Sequence, residues 1–209
     1  MEKRNAPALA MNHEKLRSLV LAAILSALIV VMTVVPYTGY ITIPVLSLEI
    51  TTLHIVVALG ACLLGWKYGA VLGGVWGVTC LIRAFTNPLW IMFTNPLISV
   101  LPRIFVGVVG GLVFAAMKKS KAPEFVDALV AAIAATLTNT VLVLGAIYAF
   151  GGMLESYAQF FEIFKAAFAY IITINGLVEL AAAAVIVPIV YRAILPALKR
   201  GKRAGEALK

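Results

Sequence analysis

The chain has 209 residues, 63% hydrophobic and 12% charged, with a mean hydropathy of +1.03. Soluble domains average about 45–50% apolar and about 25% charged residues, so this composition excludes a soluble globular domain, and it excludes a disordered chain, which requires low hydrophobicity. The net charge of +8 raises nucleic acid as a partner, but the placement of the basic residues argues for the flanks of membrane helices instead.

A spanning helix takes about 20 mostly apolar residues, and the sequence reads as six of them in a single all-α polytopic membrane domain over residues 1–209. The first run, 16–35, follows a basic start (Lys3, Arg4, Lys15) and stops at Pro36. It is longer than the roughly 7–15-residue core of a signal peptide and no A-x-A site leads into a soluble domain, so a retained helix is expected. The segment from Pro36 to Glu49 holds two prolines, Gly39 and β-branched residues. It cannot lie bare in lipid with unsatisfied backbone groups and is expected at the membrane surface or folded over a cavity.

The second run, 53–65, is short, and Gly65-Trp66-Lys67-Tyr68-Gly69 reads as a tight turn before the third, 68–85. Phe85-Thr86-Asn87-Pro88-Leu89 and Phe93-Thr94-Asn95-Pro96-Leu97 repeat one motif; Asn-Pro favours turns, so a structured loop is expected here. The fourth run, 97–117, meets the basic turn Lys118-Lys119-Ser120-Lys121-Ala122-Pro123. The fifth is 127–150, Gly151-Gly152 opens a loop with Glu155, Tyr157 and Glu162, and the sixth, 164–195, precedes the tail Lys199-Arg200-Gly201-Lys202-Arg203. Cys62 and Cys80 sit in apolar runs and read as small packing residues.

Six spans put both termini on one side. The two tails and the turns at Lys67 and Lys118 hold fourteen of the seventeen Lys and Arg, leaving Arg83, Arg103 and Lys165. The positive-inside rule places that side in the cytoplasm, where basic residues meet anionic lipid. The three long loops, near 36–52, 86–96 and 151–163, then face outward. They are rich in Tyr, Trp, Phe and Asn, which suits a ligand site capped from outside or simple interfacial anchoring.

Gly65, Gly69, Gly73 and Gly77 recur every four residues, Gly107 and Gly111 do the same, and Ala23 and Ala27 form a similar face with Ala22 and Ser26. Such faces admit a close helix. Internal packing is expected for the glycines; the alanine face suits either packing or a partner subunit.

Ionisable groups at membrane depth point to function. Glu179 follows Asn175 by four residues, on one helix face, and Asn139 lies among Thr136, Thr138 and Thr140. Arg83 ends the third helix, Arg103 follows Pro102, and His54 opens the second helix. Arginine offers a planar fork for a ligand carboxylate, and Asn139 and Asn175 can both donate and accept. The alternative is an internal Arg–Glu pair with the asparagines bridging helices, and His54 as a capping residue. No P-loop, H-E-x-x-H, G-x-S-x-G or Cys–His cluster is present. No enzyme, catalytic residue, metal or cofactor is therefore expected, and uphill transport would draw on a partner or an ion gradient. A self-sufficient small channel or carrier is the competing class.

The chain resembles the substrate-binding S components of energy-coupling factor (ECF) vitamin transporters over nearly its whole length. The resemblance rests on Ala23-x-x-x-Ala27, on His54-Ile55 with Leu63-Leu64-Gly65-Trp66-Lys67-Tyr68-Gly69-Ala70-Val71-Leu72-Gly73, and on Asn95-Pro96-Leu97 with Leu101-Pro102-Arg103-Ile104-Phe105-Val106-Gly107. It implies a non-enzymatic, multi-pass cell-membrane protein with cytoplasmic termini that binds a vitamin outside. The implied partners are a transmembrane coupling subunit, contacted through Ala23 and Ala27, and two cytoplasmic ATPases, with the S component toppling to carry its ligand inward. The outer loops would gate the ligand. The start of the fourth helix is most similar to the pantothenate-type branch; folate, pyridoxine-related, cobalamin and thiamine-precursor carriers share the plan. Pantothenate would suit Arg103 or Arg83 through its carboxylate and Asn139 and Asn175 through its hydroxyls and amide, with Asn95, Trp90 and Tyr40 completing the expected set. Glu179 then either pairs with an arginine or signals a ligand that is not anionic.

Overall fold

A computed structural model describes residues 13–43, 48–151 and 157–207. Lys3, Arg4, Gly152 and Glu155 lie outside the described residues, as do the second proline of the Pro36–Glu49 segment, Pro44, and the last basic residue of the tail, Lys209. Helix α1 (His13–Val34) is followed by Pro36, whose ring and missing N–H end it. Ala22 and Ile29 are buried, whereas Ala23 and Ala27 are exposed on its other side. Thr33 Oγ1 donates to the Ile29 carbonyl (2.8 Å) and reaches Thr79 Oγ1 in the third apolar run (3.2 Å), fastening α1 to the bundle.

The segment after Pro36 corrects a purely α-helical fold class. Strands β1 (Tyr40–Ile43) and β2 (Leu48–Thr51) form an antiparallel hairpin, Tyr40 opposite Thr51 and Thr42 opposite Glu49. Pairing satisfies backbone groups that an unpaired extended segment would leave open.

Helix α2 (Leu53–Leu64) is buried over nearly its whole circumference and touches α1 and the later helices α3 (Trp66–Ala84), α5 (Leu101–Met117), α6 (Glu124–Phe150) and α8 (Gly176–Ala207), as an all-round apolar helix must. At 12 residues it is about 18 Å long, short of a bilayer core. Gly65, with φ 89°, alone makes the turn to α3 (Trp66–Ala84), so the third helix begins at Trp66 rather than 68 and Gly65 leaves the glycine stripe. The remaining stripe is backbone contact. A Cβ on Gly73 would overlap the Arg103 carbonyl, one on Gly77 the Val100 Cα, and those on Gly69 and Gly107 each other's carbonyls. Helix α3 and the segment 100–107 therefore meet with nothing between their main chains.

A 3₁₀ turn (Pro88–Thr94) leads into α4 (Pro96–Ser99) and α5 (Leu101–Met117). The fourth run is thus split, and Pro102 explains the split: it has no N–H for the carbonyl of Ile98. After the turn at Lys118 come α6 (Glu124–Phe150), α7 (Ala158–Tyr170), a π turn (Ile171–Asn175) and α8 (Gly176–Ala207). The sixth helix therefore extends well beyond 164–195 at both ends, because Lys, Arg, Gln and Glu propagate a helix as readily as apolar residues do. Eight α-helical segments are present among the described residues rather than six helices. Among the described residues four stretches are long and apolar enough to cross a membrane: Lys15–Val34, Pro96–Met117, Glu124–Phe150 and Ile172–Ala197. The other two expected spans fall on the short α2 and on α3, whose glycines and terminal Lys67 and Arg83 dilute its hydropathy. Cys62 and Cys80 are free and buried.

Candidate functional site

The end of the bundle that carries the hairpin also carries most of its buried polar side chains. The missing N–H of Pro102 leaves the Ile98 carbonyl open, and the next side chain takes it: Arg103 Nη1 donates to Ile98 O at 2.5 Å. Arg103 is 5% exposed, its Nε has no hydrogen-bond partner among the described residues, and no carboxylate there lies within ion-pair distance. Its guanidinium stands 5.3 Å from the ring centroids of both Trp76 and Phe93, within the range of a cation–π attraction. A buried cation of this kind costs several kcal/mol of desolvation, which one carbonyl and two rings offset in part.

Trp76 is fully buried and donates through Nε1 to the Tyr40 hydroxyl (3.2 Å). Burial pushes the Tyr40 phenol well above the usual tyrosine range, so it stays neutral and accepts this bond at any physiological pH. Arg83 takes a different course from Arg103. Its two terminal nitrogens donate to both oxygens of Glu49 (2.7 and 2.6 Å), and its faces stack on Tyr40 (4.0 Å) and Trp90 (3.6 Å). The carboxylate fork of Arg83 is thus occupied by the hairpin.

From α8, Glu179 accepts the Thr51 N–H (2.7 Å) and the Asn175 amide donates to the Glu49 carbonyl (3.3 Å). Asn175 closes the π turn, a helix irregularity frequent at functional sites. Its Oδ1 is buried without a partner among the described residues, as is Oδ1 of Asn139 on α6. Asn139 lies one turn before Val143, which packs with Met92 and Ile98. His54 is fully buried in the first turn of α2, both nitrogens unpartnered among the described residues.

One chain of contacts thus joins Arg103, Trp76, Tyr40, Arg83, Trp90, Glu49, Asn175, Thr51 and Glu179. Asn95 stands apart: its Oδ1 accepts the Leu97 N–H (2.9 Å) and caps α4. Lys165 pairs with Glu162 on the exposed face of α7. Glu49 and Trp76 were not singled out from sequence. The signal for Glu49 was an acid in an apolar, β-branched segment on the loop side of Arg83; Trp76 hid in a helix that reads as packing.

A family profile described as "ECF transporter, substrate-specific component" matches residues 17–191. The chain belongs to that family. It is therefore a transporter component with several membrane-compatible helices and not an enzyme. A pantothenate transporter PanT of Leuconostoc mesenteroides is 35% identical over 109 residues, covering 50% of this chain and about half (53%) of that protein. A pantothenic acid transporter PanT of Lactococcus lactis is 32% identical over 198 residues, covering 86% and 94%. The solved S component for biotin from an ECF-type transporter aligns with a TM-score of 0.56 at 15% identity, over 87% of this S component and 94% of that one. That likeness concerns the fold alone.

Proposed function

We propose that this S component captures pantothenate outside the cell and delivers it inward with an ATP-driven ECF module. The observation that carries the reading is Arg103, a cation buried with an unpartnered Nε and no acid in ion-pair range among the described residues. A ligand carboxylate would supply the missing charge, and a charge-assisted hydrogen bond is about twice as strong as a neutral one. The carbonyl oxygens of Asn139 and Asn175, buried without a partner among the described residues, would accept from hydroxyl and amide groups. The two PanT relatives support the same ligand.

Within this reading six segments cross the membrane and both termini are cytoplasmic. The exposed pair Ala23 and Ala27 docks the transmembrane coupling subunit, which two ATPases drive. Tyr40 and Trp90 wall the site, Glu179 holds the hairpin rather than the ligand, and Asn95 acts by shaping α4. A basic vitamin would instead draw on Glu179, whose Oε1 ties β2 to the bundle through the Thr51 N–H.

Reconstitution into liposomes tests the proposal. Pantothenate uptake is expected only with the coupling subunit, ATPases and internal ATP for the module. Uptake by the chain alone, or binding of another vitamin in place of pantothenate, would refute it.

A further inference from the structure

The hairpin consists of two four-residue strands, and an isolated two-stranded hairpin is marginally stable at best. What holds it in place is therefore what ties it to the bundle. On the α8 side the ties run through the β2 main chain, from Thr51 N to Glu179 and from Asn175 to the Glu49 carbonyl. On the α3 side they run through side chains. In the observed register Tyr40 pairs with Thr51 and Thr42 with Glu49, so Tyr40 and Glu49 are diagonal neighbours on one face, within joint reach of a long side chain. Arg83 uses that geometry, stacking on Tyr40 while its fork closes on Glu49, with Trp90 of the 3₁₀ turn covering its other face.

We infer that Arg83 and Glu49 are positioning residues that set how long the ligand site stays shut, and that neither is a ligand contact. The inference rests on the proposed reading that the ligand binds at Arg103, with Tyr40 of the hairpin and Trp90 walling the site. The ion pair, clamped between Tyr40 and Trp90, joins three separate elements: the hairpin, the end of α3 and the 3₁₀ turn. Glu49 does double duty, since its carboxylate closes this latch while its carbonyl holds the amide of Asn175. Opening the latch therefore loosens both the hairpin and the asparagine beneath it. With side chains 22% and 13% exposed, the pair is screened less than a surface pair, yet water can still reach it when it opens.

The test is hydrogen–deuterium exchange of peptides spanning the hairpin in the unliganded protein in nanodiscs, beside association and dissociation rates of radiolabelled pantothenate. Arg83→Gln and Glu49→Gln are each expected to speed hairpin exchange by about tenfold or more, a reasonable scale for a charged hydrogen-bond pair. The double variant should exceed neither, because both singles remove one interaction, and the swap Arg83→Glu with Glu49→Arg should restore most of the protection. Dissociation should accelerate by a similar factor with association little changed. Trp90→Leu, which leaves the charges intact, should give a smaller increase and serves if the charge variants do not fold. Wild-type exchange in both single variants, additive effects in the double, or slower association with unchanged dissociation would overturn the inference. Faster hairpin exchange in a protein that binds no pantothenate would uphold the latch while sinking the pantothenate reading.

Discussion

Arg103→Gln separates a ligand contact from a packing residue. The substitution strips the donor from the Ile98 carbonyl, which should cost about 1–3 kcal/mol of stability whatever the ligand. If Arg103 also meets a carboxylate, the buried anion loses its partner, and truncating one member of a buried charged pair costs about 2–5 kcal/mol of binding. At 5% exposure water compensates little. About 3 kcal/mol is then expected, a rise in Kd of roughly 150-fold. A chemical cycle removes the common stability loss: pantothenate and the neutral analogue with a primary alcohol for its carboxylate are titrated calorimetrically into both proteins. The wild type should prefer the acid strongly and the variant hardly at all. A variant that keeps the wild-type preference would show that Arg103 does not read the carboxylate.

The remaining predictions follow from burial and close approach. Asn139→Leu should leave the melting temperature unchanged or raised, since Oδ1 is buried without a partner among the described residues, yet weaken pantothenate binding; loss of stability with intact binding would make Asn139 a packing residue. Gly107→Val should drive a side chain into the Gly69 carbonyl and cost about 1–3 kcal/mol or more, whereas Gly145→Ala, in open space within α6, should stabilise by about 0.5–1 kcal/mol; thermal unfolding compares the two. Ala23→Trp with Ala27→Trp should abolish module-driven uptake while pantothenate binding persists, because both positions are exposed; equal loss of both, or of neither, counts against the docking role.

Much of the helical framework was legible in the sequence because apolar runs and prolines report directly on helices that meet lipid. The runs at 16–35 and 127–150 overlie α1 and α6, and the run at 97–117 overlies the broken pair α4 and α5. The hairpin was not legible as a hairpin: strands of four residues carry too short an alternation to stand out among prolines and β-branched residues. The π turn escaped for a related reason, since one wide turn leaves the apolar pattern of a long helix almost unaltered. At the site, sequence spacing brought Asn175 and Glu179 together because they lie about one turn apart, Asn175 at the end of the π turn and Glu179 in the first turn of α8. It offered no means of ranking Arg83 against Arg103. That distinction depends on Glu49, thirty-four residues away from Arg83, and on the carbonyl that Pro102 leaves free beside Arg103, both of which appear only once the chain is folded.

Pantothenate capture is best checked by mass spectrometry of small molecules released from gently purified protein, followed by titration of the compound found. Stoichiometric pantothenate is expected, rebinding to the emptied protein with an affinity that Arg103→Gln destroys. Recovery of a cationic vitamin, or no binding of pantothenate at micromolar concentration, would contradict it.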